Sequence, residues 1–159
     1  MQAALTAAFG RDGFVTVPDV LNMEGCTAAL AEVEGRVGNG PGSRHLLSLP
    51  WCKRVASRLR TDDALAALIP EGHMAVQCSY FEKSRDTNWL VALHQDLGIP
   101  VQARVEHPAL AGWSVKDDAH FVQPPVHVLE QLVAVRLHLD GCGMDDGPLR
   151  VVPGSHAMG

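Results

Sequence analysis

The residues of this chain best suited to chemistry are His94 and Asp96, separated by Gln95 in the run Val91-Ala92-Leu93-His94-Gln95-Asp96. In an extended backbone residues i and i+2 project to the same side, so the imidazole and the carboxylate converge while Gln95 points away. A neutral nitrogen beside a hard oxygen suits a divalent ion such as Fe(II), and one more histidine would complete a two-His, one-carboxylate triad with positions open for co-substrate and oxygen. The pair is expected to face the interior of a sheet. The plain alternative for the same residues is a packed histidine hydrogen-bonded to a neighbouring aspartate.

The remaining histidines, out of eight, are weaker candidates. His138 alternates with Leu137 and Leu139 and faces either a cavity or solvent. His120 and His127 fall in a proline-rich stretch where substrate contact and ordinary loop polarity explain them equally well. Four cysteines, Cys26, Cys52, Cys78 and Cys142, stand far apart with no C-x-x-C pair, so they read as reduced, structural thiols and the spacing argues against a zinc site.

The elements that must position these groups divide the chain in two. At 159 residues, with 47% hydrophobic and 19% charged, one globular domain over 1–159 is expected. Residues 1–70 read as mainly helical. Asn22 can cap a helix in which Cys26, Ala29, Leu30, Val33 and Val37 share a face, ending in the Gly/Pro-rich loop 38–42. Trp51, Val55 and Leu59 share the face of another, and Thr61 or Asp62 can cap a short helix stopped by Pro70. From residue 71 the period changes to two, with Met74, Val76, Cys78 and Tyr80 alternating, and further strands are expected at 89–94, 132–140 and 149–152. Residues 97–130, with Pro100, Pro108, Pro124 and Pro125, are expected to form a lid over the site, the plain alternative being a wandering surface excursion, with Trp113 either an apolar wall for substrate or an anchor of the loop to the core. Gln77 is a second expected substrate contact. Asp145-Asp146-Gly147-Pro148 is turn chemistry.

A net charge of −5 argues against a general nucleic-acid binder, because a phosphate-binding face needs clustered Lys and Arg. A small-molecule partner is expected. With no run approaching the roughly 18 apolar residues of a membrane span, and no basic start followed by a long apolar stretch, neither a membrane partner nor secretion is expected, and the location is read as cytoplasmic.

Several segments resemble the phytanoyl-CoA dioxygenase family. They are Phe9-Gly10-Arg11-Asp12-Gly13-Phe14-Val15, residues 88–97 around the His94-Gln95-Asp96 run, Gly112-Trp113-Ser114-Val115-Lys116, His120-Phe121-Val122-Gln123-Pro124-Pro125, and residues 135–156 ending in Pro153-Gly154-Ser155-His156. The resemblance implies a mainly β fold with N-terminal helices (α+β), namely a double-stranded β-helix or jelly roll, with residues 71–159 forming its core. It implies His94 and Asp96 as two Fe(II) ligands, 2-oxoglutarate and O2 as co-substrates, and hydroxylation of an unactivated carbon with release of succinate and CO2. The chemistry requires that the oxidant be kept from bulk water.

The family pattern continues past the Pro-Gly-Ser-His segment through strands carrying a distal histidine and a basic residue for 2-oxoglutarate, for which this chain has no matching positions. In the family the histidine equivalent to His156 is not the usual iron ligand, so the third ligand stays unassigned. Leu90 and Leu93 stand where bacterial members often carry Lys and Trp. The jelly roll is thus expected to be incomplete at its C-terminus, with exposed sheet edges prone to self-association. Two functions follow from the resemblance: an iron- and 2-oxoglutarate-dependent oxygenase, or a non-catalytic partial domain that retains the scaffold.

Overall fold

Helices fill the first half of the chain and begin where local capping chemistry allows. In the computed structural model, which describes residues 2–34, 42–44, 46–83 and 90–158, α1 (Gln2–Asp12) is followed by α2 (Met23–Glu34). Asn22 caps α2 as expected, its Oδ1 accepting from the Gly25 N–H at 2.9 Å and so satisfying one of the donors a helix start leaves unpaired. After the two-residue strand β1 (Gly42–Ser43), α3 (Pro50–Thr61) starts with Pro50 in its first turn, where the missing N–H removes no helical bond. Asp62 then caps α4 (Asp63–Ala66), its Oδ1 accepting from Ala64 N and Leu65 N at 3.0 and 3.2 Å. β2 (Tyr80–Phe81) runs antiparallel to β1, with Ser43 opposite Tyr80.

The chain forms two compact units, Met1–Leu90 with Arg136–Gly159, and Val91–Val135. The core of the first gathers Val33, Leu46, Trp51 and Cys52, with Leu47, Leu49, Val55, Cys78 and Tyr80 packed against it. The apolar face expected on α3 therefore points inward, while Lys53, Arg54, Arg58 and Arg60 on the other face are exposed. Val37 lies outside the described residues.

The second unit is an antiparallel sheet of β3 (Ile99–Val101), β4 (Ala111–Lys116) and β5 (Ala119–Gln123) in the order β3-β5-β4, followed by the single turn α5 (Val126–Leu129). Lys116 pairs with Ala119, so Asp117 and Asp118 make a two-residue hairpin turn, both left-handed at φ 48° and 63°. That is a type I′ turn, whose twist matches its flanking strands. Gly112, at φ 59°, sits in the register shift between Ala111 and Ser114, where an added Cβ would stand 3.3 Å from Gln123 Cβ. Phe121 and Val122, being successive, face opposite sides of β5, and both are buried, so the central strand is covered on both faces.

Helices followed by antiparallel strands agree with the expected α+β class, but the strands do not fall where alternation placed them. Of the segments 74–80, 89–94, 132–140 and 149–152, the described residues show only an isolated bridge at Cys78 and the start of β2 at Tyr80. Trp89 lies outside the described residues. Residues 97–130, expected to form a lid, contain three strands instead of reading as a connection between strands. Alternation supplies a one-sided apolar surface, but a strand also needs a partner for its N–H and C=O groups. β4 and β5 find theirs across a two-residue turn, whereas the other segments require distant ones. Leu93, at 77% exposure, shows the consequence of the missing partner. Among the described residues, no helix is long and apolar enough to cross a membrane.

Candidate metal centre

His94 and Asp96 lie in the second unit, in the segment leading into β3, and their side chains do meet: Nε2 of His94 is 3.3 Å from Oδ1 of Asp96. The ring is aimed by its other nitrogen, since Nδ1 donates to the carbonyl of Ala92 at 2.8 Å. An imidazole whose Nδ1 carries the hydrogen presents a lone pair at Nε2, the atom that faces the carboxylate. The Ala92 hydrogen bond, and then the Asp96 charge, raise the His94 pKa above its ordinary value. A positive charge is thus favoured between the two side chains, whether a proton or a cation supplies it.

These residues fit a divalent metal as two adjacent ligands. Donors about 2.1 Å from an ion and at right angles to each other lie about 3 Å apart, close to the observed separation. Gln95 between them is exposed. Among the described residues, no group of three His, Cys, Asp or Glu is placed to hold a metal ion. His138 and His156 both belong to the first unit, and the third ligand stays unassigned.

One expectation is corrected here. The i, i+2 spacing predicts a pair facing a sheet interior, yet the side chains of His94 and Asp96 are 56% and 96% exposed. Residues 91–98 belong to no strand, so there is no ladder and hence no sheet face for the two side chains to point into.

The expected substrate contacts have separate surroundings. Trp113, half-buried on β4, carries the Arg104 guanidinium 5.5 Å from its ring centroid, and Arg104 Nε is also 3.4 Å from Glu106 Oε1. One face of the indole is therefore taken by a cation–π contact. Sequence reading missed Arg104. Its only signal was a basic residue on a short connection near an aromatic one. Gln77 belongs to the first unit and donates to Ser79 Oγ at 3.0 Å. His120, on β5, stands opposite Val101 and Val115, and His127 lies in α5.

An α+β chain with a His-x-Asp pair of this geometry belongs to the class that can present two ligands to a divalent cation. The phytanoyl-CoA dioxygenase (PhyH) family model matches residues 9–159, and the chain belongs to that family. Its members are generally oxygenases dependent on Fe(II) and 2-oxoglutarate that use O2. No curated protein and no solved structure matches the chain.

Proposed function

We propose that this chain, on a jelly-roll scaffold, holds Fe(II) through His94 and Asp96 and hydroxylates an unactivated carbon of a small molecule, consuming 2-oxoglutarate and O2 and releasing succinate and CO2. The observation that carries this reading is the 3.3 Å approach of His94 Nε2 to Asp96 Oδ1 with Nδ1 already committed to Ala92. When bound, the iron supplies the oxidising power that C–H cleavage needs. The chain's own residues do the rest. The Ala92 carbonyl holds the imidazole in the tautomer that leaves Nε2 free to ligate, and the Asp96 carboxylate offsets cationic charge. Trp113, in the same unit as the pair, offers an apolar wall for substrate.

The test is anaerobic Fe(II) titration by calorimetry, paired with succinate measurement after adding 2-oxoglutarate, ascorbate and air. Wild-type protein is expected to bind Fe(II), with His94→Ala and Asp96→Ala each weakening binding by at least about tenfold and Gln95→Ala by much less. Succinate formed only by chains that bind iron supports the oxygenase. Iron bound without succinate supports instead a non-catalytic domain that retains the scaffold. Unchanged affinity in both His94→Ala and Asp96→Ala overturns the ligand assignment.

A further inference from the structure

One cation of the second unit is held on two sides and left open on a third. Arg104 lies on the connection between β3 and β4, its guanidinium 5.5 Å from the centroid of the Trp113 ring and its Nε 3.4 Å from Glu106 Oε1. The ring sets where the guanidinium lies, and the Glu106 carboxylate takes the edge that carries Nε. Among the described residues no acceptor meets its terminal nitrogens, whose paired N–H groups match the two oxygens of a carboxylate. Arg11 is placed differently, with Nε and an Nη both committed to Asp12. A long side chain loses rotamer freedom when it grips an anion, and the indole and Glu106 restrict Arg104 beforehand.

Sheet register relates this cation to the metal pair. β3 and β4 both run antiparallel to β5, so they start at the same end of the sheet, with Ile99 opposite Val122 and Ala111 opposite Gln123. His94 and Asp96 lead into β3 from that end, and Trp113 stands near it, between the Ala111–Gln123 and Ser114–Phe121 pairs. With β5 between them, β3 and β4 lie two strand spacings apart, about 10 Å. We infer that Arg104 is a substrate-binding residue that takes a carboxylate, and that the substrate is an organic acid. Its acid group sits on the terminal nitrogens of Arg104, its apolar body on the half-buried indole of Trp113, and its far end at the pair. This names a substrate class for the oxygenase reading and rests on that reading only for calling the bound acid a substrate. An amide of the same shape offers one acceptor and no charge, so it forgoes the charge-assisted pair of hydrogen bonds. The co-substrate 2-oxoglutarate is itself a diacid, and the experiment separates it from the substrate as the source of the carboxylate.

The experiment titrates the metal-free full chain with hexanoate and, separately, with hexanamide, following the indole N–H signal of Trp113 by NMR, assigned through its loss in Trp113→Phe. Hexanoate should shift that signal saturably, and hexanamide should leave it in place at the same concentrations. Arg104→Gln should weaken hexanoate binding by at least about tenfold. Arg104→Lys should recover only part of that loss, because an ammonium keeps the charge but lacks the planar fork. With Zn(II) added to load the pair, 2-oxoglutarate should perturb the Trp113 signal far less than hexanoate does. The reverse order assigns the cation to the co-substrate and overturns the proposal. So do a Trp113 signal that hexanoate leaves unmoved, equal shifts by hexanoate and hexanamide, or unchanged affinity in Arg104→Gln. The metal-free titration reads Arg104 whether or not iron binds, so this site and the oxygenase reading fail separately.

Discussion

The imidazole of His156 lies directly against the backbone of Gly13, so close that a Cβ added at Gly13 would stand 2.7 Å from His156 Cγ and closer still to Nδ1. The same two segments are joined beside it, the Gly154 N–H donating to the Asp12 carbonyl at 2.8 Å. Arg11 grips the Asp12 carboxylate with both Nε and an Nη at 2.9 and 2.6 Å, and that hydrogen bonding, with a smaller contribution from His156, holds the Asp12 carboxyl below its usual range. The Pro-Gly-Ser-His segment thus seals the C-terminal end of α1.

Gly13→Ala should therefore destabilise the chain for two separable reasons, the collision with His156 and the left-handed backbone at φ 80°. The expected loss is about 1–3 kcal/mol by urea denaturation. Adding His156→Ala should recover only the collision. A Gly13→Ala variant as stable as wild type would refute the packing.

Stability at alkaline pH should fall through the core of the first unit. Burial, then Glu82, pushes the Tyr80 phenol from 10.0 up to about 12, and burial, then Cys78, raises the Cys52 thiol from 9.0 up to about 12. Both groups bind their protons more tightly folded than unfolded, so their contribution is complete below pH 9.0 and is lost as pH rises through about 12. Tyr80 is the one tyrosine of the chain, so phenolate absorbance reports it alone. Its midpoint should lie well above that of the urea-unfolded chain, and coincident midpoints would contradict its placement.

The Asp117-Asp118 turn gives a test in the second unit. Asp118 holds φ 63°, a conformation that costs glycine nothing and a β-branched residue most. Asp118→Gly should stabilise the β4–β5 hairpin by up to about 1 kcal/mol, and Asp118→Val should destabilise it by about 1–2 kcal/mol. Hydrogen exchange of the Phe121 and Val122 amides is the readout, and the two variants moving in the same direction would refute the turn type.

In the helical core, Val33→Ala should cost about 2–3 kcal/mol, because Val33 is 1% exposed and its removal leaves a cavity among Leu46, Trp51 and Cys52. Met23→Ala, at a residue 85% exposed on the same helix, should stay within about 0.5 kcal/mol. Equal effects at the two positions in thermal unfolding would show that α2 is not docked through Val33.

The features legible in the sequence are those whose partners lie within a few residues. Asn22 and Asp62 cap because each side chain reaches an N–H two or three positions on, and Pro50 opens α3 because its own ring sets the backbone angle. His94 and Asp96 converge for the same reason, being two residues apart. The Asp117-Asp118 hairpin is equally local, but the prolines on either side of it give the stretch the signature of a loop. What tertiary structure alone decided depends on groups far apart in the chain. Alternation at 132–140 specifies an apolar face but names no partner strand, so pairing there was never contained in the pattern. Whether His94 and Asp96 point inward likewise depends on a covering sheet, and Cys78 packs against the cluster that holds Cys52 only because α3 and the approach to β2 share one core. A local hydrogen bond closes at small entropic cost wherever its residues occur, whereas each distant contact forms only if the rest of the fold has already brought its two ends together.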